Sequence, residues 1–179
     1  TLKPIYHSSK MEIKREELEY GYFSVDGHSM YLPKSHSEYS DGRIHWKETV
    51  TARDSKGNIA EFTETGCPTK VIIWSYNGQH PVAVIENCTL AKVEEKLKGL
   101  LSIDSITNSQ EFTQRQQEIL NDTLRRLLPE AHITVYTYKP GIGVSSITDL
   151  RGVKTTFDYD ASGRLVSIKD TDGKTVEEY

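Results

Sequence analysis

An Asp-x-x-Gly tetrapeptide recurs late in the sequence as Asp149…Gly152, Asp160…Gly163 and Asp170…Gly173, spaced 11 and 10 residues apart, with an outlying copy at Asp54…Gly57. The chemistry of the pair is local. An aspartate at the first position of a type I turn accepts backbone N–H groups, and a glycine supplies the positive φ that follows. Each copy then hands the chain from one short strand to the next, so residues 131–179 read as a β-meander of roughly ten-residue units.

Upstream, residues 1–88 also read mostly as strands. Tyr20, Tyr22 and Ser24 alternate up to the turn signal Asp26-Gly27, and Ser40-Asp41-Gly42 marks another turn. In Arg43 to Arg53, Ile44, Trp46, Glu48 and Val50 share one face. The apolar runs Val71 to Trp74 and Val82 to Ile85, separated by Asn77-Gly78, predict central buried strands. The period changes at Asn87. Leu90, Val93, Leu97 and Leu100/Leu101 recur at helical spacing up to Gly99. A second helix is predicted from Asn108, with Glu111 completing a capping box and a stripe of Phe112, Gln116, Ile119/Leu120, Thr123/Leu124 and Leu127/Leu128 ending at Pro129. Arg125 and Arg126 suit the negative end of its dipole. The expected fold is therefore α+β: a mainly antiparallel, twisted sheet of seven to ten strands with two helices on one face. Its parts are a β-rich region (1–88), a helical pair (89–130) and the meander (131–179), together one structural unit.

Composition narrows the function classes. The 179 residues carry a formal charge of −4, with 36% hydrophobic residues and ten tyrosines. Such mild acidity gives no footprint for a nucleic acid or an anionic membrane, and no apolar run approaches the about 20 residues of a membrane span. Thr1 follows no leader, and Tyr179 falls within a strand pattern, so the sequence reads as a piece of something longer. Cys67 and Cys88 lack metal-ligand spacing. Either they form a disulfide or they are two ordinary, semi-buried thiols.

The tail carries a family resemblance. Tyr159-Asp160-Ala161-Ser162-Gly163-Arg164-Leu165, followed by Asp170-Thr171-Asp172-Gly173-Lys174 and Tyr179, resembles a YD repeat of the bacterial Rhs/YD-repeat family. The segment from Asp149 to Tyr159 resembles the linked upstream unit, and the stretches Trp74 to Pro81 and Tyr138-Lys139-Pro140 are also similar to segments of such proteins. The resemblance implies a fragment of a long secreted or surface-attached chain, outer-membrane associated, whose tandem units build an extended sheet. That sheet can curl into a shell, sometimes around a toxic C-terminal domain. Its partners would be the flanking repeats of the same chain. A closed shell is not expected from this fragment alone, and no segment matches the family's self-cleaving acidic site.

Sharper chemistry fits poorly. Asp170-Thr171-Asp172-Gly173 puts Ile168 and Tyr179 where a calcium loop needs oxygen ligands. Gly141-Ile142-Gly143 leads into a strand, so it reads as a turn rather than a phosphate cradle. Asp158 and Asp160 share a strand face but have Lys154 and Arg164 nearby to neutralise them. The histidines His7, His28, His36, His45, His80 and His132 follow no catalytic spacing. Trp46, Trp74, Tyr76 and Tyr22 either fill the core or stack on a glycan or protein ligand. The expectation is a non-enzymatic structural module without cofactor or metal. Its alternatives are a recognition module using those aromatics and, remotely, a hydrolase. Its exposed strand edges predict edge-to-edge self-association.

Overall fold

A computed structural model describes residues 5–6 and 12–179. Its strands are β1 (Ile5–Tyr6), β2 (Glu12–Val25), β3 (His28–Ser40), β4 (Arg43–Arg53), β5 (Ile59–Glu64), β6 (Lys70–Ser75), β7 (His80–Glu86), β8 (His132–Lys139), β9 (Gly143–Thr148), β10 (Lys154–Tyr159), β11 (Leu165–Lys169) and β12 (Thr175–Glu178). They form one sheet in the order β1 to β12. Neighbours in space are neighbours in sequence, and the pairings are antiparallel. Twelve strands exceed the seven to ten expected, because each turn adds its strand to the growing edge of the same sheet.

The segment between β7 and β8 is helical: α1 (Leu90–Leu97), α2 (Ile103–Thr107), α3 (Gln114–Glu118), a π turn over Ile119–Thr123, and α4 (Leu124–Leu127). It differs from the expected pair of helices. Asn108 does not open the second helix. It closes α2, with its side-chain amide donating to the carbonyl and the carboxylate of Asp104. The capping box is Thr113 and Gln116, and both reciprocal bonds are made. The box falls there because Phe112, 4% exposed, is drawn into the core just before the helix starts.

That core is built in cross-strand rows. Val71 pairs with Ile85 and Ile85 with Ile133, while Ile73 pairs with Ala83 and Ala83 with Val135. All six are buried on the face that meets Val93, Leu97, Ile106, Phe112, Leu120, Leu124 and Leu128 of the helical segment. β6 and β7 are thus the central buried strands the apolar runs predict. Outside this zone the sheet is a single layer, and the accessible surface, 11025 Å², exceeds the about 9,000 Å² of a compact chain of this mass. Arg125 ties the helical segment to the tail. Its guanidinium donates to the carbonyls of Asp149 (2.7 Å) and Leu150 (2.9 Å), at the turn between β9 and β10, instead of serving only the helix end.

Candidate functional site

The four Asp-x-x-Gly corners share one geometry. One carboxylate oxygen, Oδ1, accepts two backbone N–H groups each time: Arg151 and Val153 at Asp149, Ser162 and Arg164 at Asp160, Asp172 and Lys174 at Asp170, and Lys56 and Asn58 at Asp54, all at 2.8–3.0 Å. The glycine N–H donates to the aspartate carbonyl at 2.9–3.1 Å, and the aspartate N–H donates to the carbonyl four residues on. Gly57, Gly152, Gly163 and Gly173 have φ from +77° to +87°. This is a type I turn closed by a left-handed glycine, the bulged hairpin loop. The Val153 amide holds the Asp149 carboxyl below the usual range, and the Arg164 amide and guanidinium do the same for Asp160.

The tyrosine of the YD pair has its own role, which no local pattern announced. Tyr159 Oη donates to the Val144 carbonyl at 2.8 Å, reaching back to the first strand of the unit. Gly143 makes room for it, since a Cβ there would stand 3.1 Å from the phenol oxygen.

The four singled-out aromatics keep different company. Trp46 meets His36 edge-on at 5.5 Å. Trp74 Nε1 donates to the Ile59 carbonyl at 2.8 Å. Tyr76 packs edge-on against His80 and Tyr138, and His80 stacks on Tyr138 at 4.6 Å. Tyr22, 76% exposed, lies against Tyr31, which also stacks with Tyr20. These three tyrosines share one face of the β2–β3 hairpin, a ladder that only the alternation in the sequence hinted at.

The charged and polar groups are mostly paired. Asp158 meets Lys169 Nζ at 2.6 Å and accepts from Ser167, so its partner is Lys169 and not Lys154; Asp160 meets Arg164 Nη2 at 2.8 Å. His28 bonds the Asp26 carbonyl, His45 and His132 are exposed, and His7 lies outside the described residues. Among the described residues no group of three or more His, Cys, Asp or Glu is placed to hold a metal ion, and no helix is long and apolar enough to cross a membrane. Cys67 and Cys88 are free thiols, the first exposed and the second buried, so the pairing considered from sequence is not made. A cleft of about 800 Å³ lies between α1 and α2–α3, lined by Glu94, Lys98, Leu101, Ile103, Arg115 and Gln116. None of the singled-out aromatics reaches it.

A sequential antiparallel meander with aspartate–glycine corners at ten- and eleven-residue spacing defines a β-repeat protein. Residues 143–175 match the RHS Repeat family. No curated protein matches the sequence. Among solved structures, the chain is similar to "Crystal Structure of TcdB2-TccC3 without hypervariable C-terminal region", with 10% identity and a TM-score of 0.47 over 98% of this chain and 9% of that one. It is also similar to "Crystal Structure of TcdB2-TccC3", with 12% identity and a TM-score of 0.44 over 92% of this chain and 8% of that one. The chain thus spans under a tenth of the length of either.

Proposed function

We propose that this chain is a non-enzymatic structural module of a longer, extracellular Rhs/YD-repeat protein, and that its sheet continues into flanking repeats. One observation carries the reading: every pairing joins sequence neighbours, so growth is possible only at the sheet ends, and β12 ends it as an exposed strand. Asp turns that add a strand each suit an extendable wall. Appending the next repeat tests this, with hydrogen exchange of the β12 amides as the readout. The outward N–H groups of β12 should exchange at least tenfold more slowly once a partner strand is present. Unchanged exchange would refute the reading.

A second reading has its own support. The Tyr20–Tyr31–Tyr22 ladder is 46–76% exposed and offers flat rings for stacking on a glycan or a protein ligand. A glycan array probed with the native chain and with the Tyr22→Ala, Tyr31→Ala double variant separates the two. Retained signal in the variant, or none in either, would reject the ladder as a binding face.

A further inference from the structure

The family match begins at residue 143, yet one side-chain device runs through the sheet from β2 onward. At five places along the sheet edge that carries Gly57, Gly78, Gly141 and Gly163, a β-bulge is followed at once by a residue that pairs with the next strand, at its first or second position in every case but Pro33. Tyr20 pairs with Pro33, Arg53 with Ile59, Trp74 with Pro81, Tyr138 with Val144, and Tyr159 with Leu165. The side chains then link these places into a relay. Arg53 Nη2 donates to the Pro33 carbonyl at 2.7 Å, Trp74 Nε1 to Ile59, Tyr138 Oη to Pro81 and Tyr159 Oη to Val144, each of these three at 2.8 Å. Every donor therefore reaches the carbonyl of the residue that pairs with the donor position before it. A guanidinium, an indole and two phenols occupy one geometric role.

The phase repeats once on each side of the helical segment. Trp74 follows Arg53 by 21 residues, and Tyr159 follows Tyr138 by 21. A positive-φ glycine comes three or four residues after each: Gly57, Gly78, Gly141 and Gly163. Donor and acceptor are 15 residues apart for Trp74 and for Tyr159, 20 apart for Arg53 and 57 apart for Tyr138. The 42 extra residues match the stretch 89–130, which holds the helices.

We propose that the strands from β4 to β8 are divergent copies of the same 21-residue unit, that the helical segment is an insertion into the loop of one copy, and that Tyr179 is the donor of the next. The inference rests on the structural-module reading and names the partner at its open edge. Tyr179 follows Tyr159 by 20 residues, and its N–H already bonds the Val166 carbonyl. Its hydroxyl donates to Glu177 Oε2 at 2.6 Å, where the relay would direct it to Leu165. The partner it fits is a unit that opens with a glycine corner and whose first strand pairs with Tyr179.

Deleting residues 139–159 removes one unit in phase, joining Tyr138 to Asp160 and putting Leu165 in the place of Val144. Repeat units of this kind are removable whole. The shortened chain should unfold cooperatively, and Tyr138→Phe should lower its Tm by about 2–4 °C, as in the full chain. Loss of cooperative unfolding would overturn the equivalence of the units if it persists with Lys169→Thr, which restores the residue lost from the buried Thr148 position. In a second arm, residues 160–179 are repeated after Tyr179. Tyr179→Phe should then lower Tm by a similar 2–4 °C in the extended chain and leave the 179-residue chain unchanged; equal effects in both would refute the role of Tyr179. If the deletion chain folds while the added strands stay unprotected from exchange, the module reading fails and the internal units stand.

Discussion

A single carboxylate oxygen holding two amides defines each corner, so the corners are sensitive to residue changes that leave the core alone. Gly152 has φ +83° and nothing within 4 Å of an added Cβ, which makes Gly152→Ala a purely conformational change costing about 1 kcal/mol in urea denaturation. Gly143 is different: alanine there would press on the Tyr159 phenol, and Tyr159→Phe should erase much of that penalty. The thiols make a separate test. Cys67 is exposed, whereas burial pushes the Cys88 thiol up, so iodoacetamide should label one thiol quickly in the native chain and two after unfolding. The corners were legible in the sequence because all their bonds lie within five residues. Tyr159 was legible as a motif letter but not as a bond, since its acceptor lies 15 residues back and depends on a bulge.

The elements show the same division between local and distant causes. The apolar stripes of the helical segment were readable, and Leu120 and Leu124, both 0% exposed, are where truncation hurts: Leu120→Ala should cost about 3 kcal/mol in denaturant melts. The start of the second helix was misread because Asn108 and Glu111 have capping-box spacing just as Thr113 and Gln116 do; burial of Phe112 decides between them. Thr113→Ala should therefore cost about 1 kcal/mol and Asn108→Ala clearly less. The π turn at Ile119–Thr123 had no residue signature at all. Arg125 suited a helix end by position, but its hold on the β9–β10 turn depends on tertiary packing.

Across the whole molecule, a one-layer sheet is wide. Twelve strands at about 4.8 Å spacing span roughly 50 Å, so small-angle scattering should give a radius of gyration above the about 16 Å of a compact chain this long. Acid should weaken it. The Val153 amide at Asp149, the Lys169 ammonium at Asp158 and the Arg164 amide at Asp160 hold these carboxyls below their ordinary range. A folded-state pKa below the unfolded one stabilises at pH above about 4 and is lost as pH falls through the folded value. Thermal melts should show Tm falling below pH 4, and Asp160→Asn should flatten that fall.

The helical segment also sets the order in which the chain assembles. Apart from the β7–β8 ladder, each ladder from β2 onward joins strands separated by a short corner, but β7 must wait for β8 across residues 87–131. Closing that loop costs entropy before any pairing repays it. During synthesis the strands ahead of it can zip up as they emerge, while the apolar edge of β7 stays uncovered until His132 to Val135 arrive. That closure is the longest one among the ladders from β2 onward, so stopped-flow refolding should place the β7–β8 pairing last.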